Sequence, residues 1–282
     1  MITTTKELYE HLFHRILPFV HTPGECRAIV LRVIAHFYGY DAVAIALDKK
    51  LSTNLSTNVL EDVVTRLHNR EPIQYILEES YFASRVFKVT PAVLIPRPET
   101  EELTLRIVQE NPLSNLQVLD IATGSGCIAI TLQKELSNPF VDALDISEEA
   151  LQIARQNATH HQAIIHWHQL DILQYRLPKK KWDIIVSNPP YVCISEVACM
   201  RAQVTAYEPA LALFVPDESP LMFYERIVQQ ASKHLTSSGK LYLEVNERFG
   251  KDVSALCYKH HFREVAVAQD LHNKDRFVIA AY

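Results

Sequence analysis

Three observations predict an α/β fold, a mostly parallel, doubly wound sheet with a small helical domain before it. Strand-like and helix-like segments alternate from about residue 99 onward, the first 70 residues carry only helix signals, and Gly124 and Gly126 crowd one strand–helix turn. Alternation of β and α implies parallel strands joined by crossover helices. The chain has only six glycines. A close pair in so glycine-poor a sequence marks backbone that must approach something closely. The length of 282 residues suits two domains, at roughly 100–200 residues each.

Residues 1–70 read as a helical bundle. Thr4 with Glu7 forms a capping-box pattern, and Leu8, Leu12 and Ile16 recur at helical spacing. A second start has Thr22 as N-cap, Pro23 at the first helical position and Glu25 at the third, with Gly39 as its stop. A further helix carries Val59, Leu60, Val63, Val64 and Leu67 on one face. This region holds no catalytic constellation, so partner docking is its expected role. Residues 71–98 form the expected link: Pro72, Pro91, Pro96 and Pro98 exclude helix, and the alternation from Tyr81 to Val89 suits a hairpin.

The domain at 99–282 should hold seven strands. A helix over 99–110 precedes strands at 117–120, 141–145, 164–167, 182–187, 240–245, 265–268 and 277–280, with helices expected after the first two. The last two strands lie too close for a crossover and should pair antiparallel.

Composition excludes several classes. The apolar fraction is 48% and the charged fraction 22%, ordinary for a globular chain. Lys plus Arg is 28 against 33 Asp plus Glu, a net charge of −5, which argues against a dedicated nucleic-acid binder. Lys179-Lys180-Lys181 is the one basic run and reads as a solvated loop. No apolar run reaches the ~20 residues of a membrane helix, and the N-terminus has no apolar signal core. A cytoplasmic monomer is the expectation. The five cysteines make no C-x-x-C pair, and the histidines, densest at His160, His161, His166 and His168, make no metal spacing. No metal is expected, and most of the thiols should be buried and reduced.

Two motifs carry chemistry. Gly124-Ser125-Gly126-Cys127-Ile128-Ala129 reads G-x-G-x-x-A between strand and helix, and Asp145 ends the next strand, where a carboxylate can accept ribose hydroxyls. The loop alone leaves NAD(P), FAD and S-adenosylmethionine open. Asp120 favours the last, because a carboxylate there can face its ammonium group. Asn188-Pro189-Pro190-Tyr191 follows the fourth strand and decides. An amide or exocyclic nitrogen is a poor nucleophile until its lone pair leaves conjugation. The Asn188 side-chain oxygen and the Pro189 carbonyl can accept its two N–H groups, the paired prolines stiffen that carbonyl, and Tyr191 can stack on a planar group. Such acceptors act where positive charge develops. No histidine or carboxylate beside this clamp reads as a general base.

The segments 74–77 (Gln-Tyr-Ile-Leu), 94–101 (Leu-Ile-Pro-Arg-Pro-Glu-Thr-Glu), 120–126, 185–191 and 207–213 together resemble the HemK/PrmC family, protein-(glutamine-N5) methyltransferases of peptide chain release factors. The match is dense from about 70 to the end and looser before it, where Glu25-Cys26-Arg27-Ala28 fits. The resemblance implies a Rossmann-like S-adenosylmethionine-dependent domain and a cofactor loop of Ala122, Thr123, Gly124, Ser125 and Gly126. It also implies Asp145 on the ribose, Asp171 and Ile172 beside adenine, Arg97 and Glu101 as cofactor-pocket wall, and Asn188 to Tyr191 as the substrate clamp. The implied reaction methylates N5 of the glutamine in a Gly-Gly-Gln motif of class I release factors, tuning translation termination, and leaves S-adenosylhomocysteine.

Five positions depart from the family pattern. Ala122 replaces a usual Gly, tolerable if its φ is negative; Ile172 replaces a frequent aromatic; Thr205 replaces a frequent Arg; Asn246 and Phe249 replace Gly and Gln of a late E-I-G-x-x-Q-G stretch. Two other readings share the clamp. A ribosomal-protein glutamine methyltransferase is hardly separated by sequence physics. An adenine-N6 nucleic-acid methyltransferase would need base flipping and a basic groove, which an acidic chain does not suggest. A non-enzymatic S-adenosylmethionine-binding protein would be expected to carry a damaged clamp, and this one is intact.

Overall fold

The computed structural model describes residues 2–52 and 57–282. The chain divides into two compact units, Met1–Glu79 with Ala202–Tyr207, and Ser80–Arg201 with Glu208–Tyr282.

The first unit is helical. It holds α1 (Thr5–Ile16), α2 (Pro23–Tyr38), α3 (Ala42–Ala46), α4 (Thr57–His68) and α5 (Ile73–Leu77). The cap residues fall where the sequence puts them. Thr4 Oγ1 accepts the Glu7 N–H and Thr22 Oγ1 accepts the Glu25 N–H. The returning carboxylates reach one residue further back than a capping box requires: Glu7 accepts from the Thr3 N–H and Glu25 from the His21 N–H. Gly39 ends α2 at φ 70°, a conformation that glycine adopts freely. Leu8, Leu12, Val30, Val33, Leu60 and Val63 fill the core of this unit.

In the second unit, β1 (Glu79–Phe82), whose first residue still belongs to the helical unit, and β2 (Arg85–Lys88) form a two-stranded sheet. Its connection is the two-residue turn Ala83-Ser84, both at positive φ, whose twist suits a tight hairpin. Then follow α6 (Pro98–Glu110), β3 (Gln117–Ile121), α7 (Cys127–Glu135), β4 (Phe140–Asp145), α8 (Glu148–His160), β5 (Ile165–Gln169) and β6 (Trp182–Ser187). After a short parallel pair, β7 (Val192–Cys193) with β8 (Phe214–Val215), come α10 (Met222–His234), β9 (Leu235–Glu244), α11 (Gly250–Lys259), β10 (Glu264–Gln269) and β11 (Asp275–Ala281). The helix between β7 and β8, α9 (Ala202–Tyr207), belongs to the first unit.

Seven strands make one mixed sheet in the order β10-β11-β9-β6-β3-β4-β5. The pairs β6/β9, β3/β6, β3/β4 and β4/β5 are parallel, and β11 runs antiparallel to both β9 and β10. The expected antiparallel terminal pair is therefore present. Chain order reverses at β3, and a crevice at such a switch point, outside the carboxyl ends of the strands, is where open α/β sheets bind ligands. Strand alternation splits the core: Val118, Ile130, Val186 and Tyr242 pack on one face, Leu119, Ile185, Ile227 and Leu243 on the other.

Sequence reasoning missed α10 and α11, and its expectation that prolines exclude helix from 71–98 fails at α5, which starts directly after Pro72. The N-cap residues of α10 and α11, Leu221 and Phe249, make no side-chain cap bond, so neither start carries a sequence signal. The basic run is not a free patch, because Lys180 Nζ lies 2.6 Å from Asp142 Oδ2 and Lys181 Nζ donates to the Lys233 carbonyl. Cys26, Cys127, Cys193 and Cys257 are buried thiols and Cys199 is exposed. Among the described residues no helix is long and apolar enough to cross a membrane, and no cluster of three metal-ligating side chains occurs.

Candidate active site

The loop from β3 to α7 builds one wall. The Thr123 N–H bonds to the Leu144 carbonyl and the Gly126 N–H to the Thr123 carbonyl, which closes the loop tightly between two strands. Ala122, Gly124 and Gly126 have φ of 61°, 55° and 79°. The two glycines serve different ends. A Cβ on Gly124 would stand in open space beside the cavity, whereas one on Gly126 would meet Ala154, Ile130 and Trp167 at 3.2 Å. Gly126 therefore lets α7 pack close, and Gly124 leaves room for a ligand. The condition of negative φ set for Ala122 is not met: it is a left-handed alanine. That conformation costs an L-residue about 1–2 kcal/mol, partly offset by the lower unfolded-state entropy of alanine. Ala122→Gly is expected to raise stability by about 0.5–1 kcal/mol. A urea midpoint that stays put or falls would contradict this.

Asp145, at the end of β4, accepts from the Gly124 N–H at 2.9 Å and the Ser147 N–H at 3.0 Å, one bond on each carboxylate oxygen. Each oxygen keeps a lone pair for another donor, and Asp145 lines the cavity. Burial pushes its pKa up, against the pull of those backbone N–H groups. After β5, Asp171 turns on itself, its Oδ1 accepting from the Leu173 N–H at 2.8 Å, and buried Ile172 presents an apolar wall.

Asp120 is placed differently. It is fully buried beneath the loop and does not line the cavity. Its Oδ2 accepts from Thr123 Oγ1 at 2.6 Å and from the Ala129 N–H at 3.2 Å, while Oδ1 has no partner. Burial raises its pKa to about 7. A carboxyl whose folded pKa lies above its unfolded value favours folding when protonated, so its contribution falls as pH rises from about 4 to about 7. Thermal melts should show Asp120→Asn free of that decline, and equal pH slopes for variant and wild type would refute the assignment.

The opposite wall follows β6. Asn188 is half-buried, Pro189 and Pro190 are buried, and Asn188 and Pro190 line the cavity while Pro189 and Tyr191 do not. Asn188 Nδ2 donates to Thr100 Oγ1 at 3.0 Å, Thr100 Oγ1 donates to Glu244 Oε2 at 2.6 Å, and the Tyr191 hydroxyl donates to Glu244 Oε1 at 3.0 Å. Glu244 is thus a carboxylate beside the clamp that the sequence reading did not foresee. Both its oxygens are occupied, it is fully buried, and it does not line the cavity. Arg97 lines the cavity and pairs at 2.6 Å with buried Glu208, whose other oxygen accepts from the Ile95 N–H. This joins the I-P-R-P and Y-E-P segments. Glu101 does not line the cavity. Of the departures, Ile172 lines the wall, Thr205 lies in α9 of the helical unit, and Asn246 donates to Glu196 and to the Tyr191 carbonyl. Phe249 precedes α11 and packs against the core.

The cavity between these walls has a volume of about 370 Å³ and gathers Arg97, Ala122, Thr123, Gly124, Ser125, Asp145, Asp171, Ile172 and Asn188. Leu94, Leu144, Ile146 and Phe223 add an apolar lining that the motifs did not announce. This donor set fits an adenosine-bearing cofactor. Asp145 has acceptor capacity for hydroxyls, Ile172 and Ile146 offer apolar walls, and Gly124 leaves open space beside the cavity, whereas Asp120, buried beneath the loop, does not reach it.

Comparison with known proteins agrees with this geometry. Residues 100–205 match the model of the methyltransferase small domain. The chain is 44% identical over 263 residues to the release factor glutamine methyltransferase of Bacteroides thetaiotaomicron, covering 93% of this chain and 94% of that one. It is 38% identical to the release factor glutamine methyltransferase of Flavobacterium psychrophilum, over 96% of each. A methyltransferase structure from Pyrococcus furiosus, 18% identical, shares the fold with a TM-score of 0.52 over 69% of this chain and 87% of that one. With identity of this level over nearly the whole length, and with the cofactor loop, Asn188 and Pro190 lining one cavity, the chain is a methyltransferase that belongs to the release factor glutamine methyltransferase family.

Proposed function

We propose that this enzyme transfers the methyl group of S-adenosylmethionine to the side-chain N5 of the glutamine in the Gly-Gly-Gln motif of class I release factors. One observation carries the reading: Asn188 and Pro190 stand on the wall of the same cavity as the loop 122–125 and Asp145. The bound cofactor supplies an electrophilic methyl on a sulfonium. Asp145 holds the ribose hydroxyls, and Ile172 with Asp171 bounds the adenine. Asn188 Oδ1 and the Pro189 carbonyl accept the two N–H groups of the substrate amide, which turns its lone pair toward the methyl. The amide proton becomes acidic only after transfer, so no strong base is needed beside it.

The test is to mix the purified chain, S-adenosylmethionine and purified release factor, then measure the mass of the Gly-Gly-Gln peptide. One added methyl on the glutamine supports the reading. An unmodified release factor alongside methylated ribosomal protein would transfer the activity to that substrate.

The helical unit, Met1–Glu79 with Ala202–Tyr207, is proposed to dock the release factor, since its helices are amphipathic and pack one apolar face into a core of their own. A folded fragment beginning at Ser80 should keep cofactor affinity. It should lose kcat/KM on intact release factor far more than on a short Gly-Gly-Gln peptide, because remote contacts position the reacting group. Equal losses on both substrates would give the helices a purely structural role.

A further inference from the structure

We propose that Thr100 and Glu244 are positioning residues that fix which atom of the Asn188 amide faces the cavity. The inference rests on the function proposed above, in which Asn188 Oδ1 accepts a substrate N–H.

An ionised carboxylate only accepts hydrogen bonds, and a hydroxyl has one proton to give. Glu244 takes the Thr100 proton on Oε2 at 2.6 Å and the Tyr191 proton on Oε1 at 3.0 Å. With its proton committed, Thr100 Oγ1 can only accept from Asn188, which lies 3.0 Å away. The Asn188 NH2 must therefore point at Thr100, and Oδ1 must turn to the cavity side. A neutral Glu244 reverses the chain. Its own proton satisfies one neighbouring hydroxyl, Thr100 becomes free to donate, and the Asn188 amide can turn its NH2 toward the substrate. Two N–H groups would then face each other, and the clamp would repel the nitrogen it has to hold.

The three residues come from different elements, Thr100 from α6, Glu244 from the end of β9, and Asn188 directly after β6. Glu244 is fully buried, and Thr100, itself buried, borders the cavity together with Asn188. Around Glu244, Tyr224 of α10 donates to its backbone carbonyl at 3.2 Å, Arg276 of β11 contributes positive charge, and Glu99 of α6 contributes negative charge. Arg276 is itself paired with Asp270 at 3.1 Å. Burial raises the Glu244 pKa, while the bonds from Thr100 and Tyr191 and the charge of Arg276 lower it. The ionised form is the aligned one, so kcat is expected to fall as pH drops through this group and to level off above it.

The experiment uses the full chain with S-adenosylmethionine and purified release factor, comparing Thr100→Val, Thr100→Ser and Glu244→Gln with wild type. Thr100→Val and Glu244→Gln should lower kcat by about 10- to 100-fold, by analogy with partners that orient metal ligands. The KM for S-adenosylmethionine should stay within about two-fold if these residues act on the reacting group alone. Thr100→Ser, which restores the hydroxyl, should recover most of the rate. The acid limb of the kcat–pH profile should vanish in Glu244→Gln. The inference is overturned if Thr100→Val turns over like wild type, if Thr100→Ser is as slow as Thr100→Val, or if the loss falls on cofactor affinity. Side-chain amide NMR of Asn188 reads the same orientation without turnover. Its NH2 protons should exchange slowly in wild type and Thr100→Ser and quickly in Thr100→Val. If wild type fails to methylate release factor, the proposed function fails, while equal exchange in all three proteins would sink the positioning role separately.

Discussion

Asn188→Ala is expected to reduce kcat by about 100- to 1000-fold, the loss that follows removal of one preorganised partner of a developing charge, about 2.7–4 kcal/mol. Cofactor affinity should change by no more than a few-fold. Asn188 is half-buried on the cavity wall, and its Nδ2 is spent on Thr100, so its free oxygen is the atom available to a substrate. An interaction felt mainly in the transition state lowers kcat and kcat/KM together when it is removed. Deleting the side chain also frees Thr100 Oγ1, but the Thr100–Glu244–Tyr191 bonds remain, so the fold should hold. Single-turnover kinetics with calorimetry of cofactor binding separate the outcomes. Turnover near wild type would remove Asn188 from the chemistry, and a parallel loss of cofactor affinity would make it a structural residue.

What could be read from the sequence differs by the kind of signal each residue leaves. The strands at 117–121, 140–145 and 182–187 announce themselves because they are short apolar runs bounded by turn residues. The first glycine turn did so because Gly124 and Gly126 both adopt conformations that ordinary residues avoid. Where a helix starts without a capping side chain, as at Leu221 and Phe249, there was nothing local to read. The left-handed φ of Ala122 ran against local preference, because alanine carries no mark of a conformation imposed by the strands around it. The clamp was legible as a tetrapeptide, but its support was not. Thr100 lies 88 residues before Asn188, Glu244 lies far after it, and the three meet only because α6, β6 and β9 converge. Long-range polar networks of this kind have no spacing rule. Asp120 shows the opposite case: its position before the loop was evident, yet its full burial and pairing with Thr123 depend on how the loop closes over it.

Asp145→Ala should weaken S-adenosylmethionine binding by about 10- to 100-fold, since hydrogen bonds to a charged acceptor contribute about 1.5–3 kcal/mol. Two effects point the same way. The carboxylate offers lone pairs toward the cavity, where ribose hydroxyls would donate, and it also fixes the loop by accepting from the Gly124 N–H at 2.9 Å. Removing it leaves that N–H without its acceptor and loosens the segment on which Gly124 makes room for the ligand. Asp145→Asn distinguishes the two contributions. An amide oxygen can still accept one backbone N–H, so the loop should stay closed, but the charge is gone and an NH2 now faces one set of hydroxyls or the Ser147 N–H. Asn at this position should therefore bind better than Ala and worse than wild type. Calorimetry on folded proteins, checked by thermal melts, gives the three affinities. Affinity unchanged in Asp145→Ala would detach this residue from the cofactor. Equal losses in Ala and Asn would assign the whole effect to the charge and leave none to the loop.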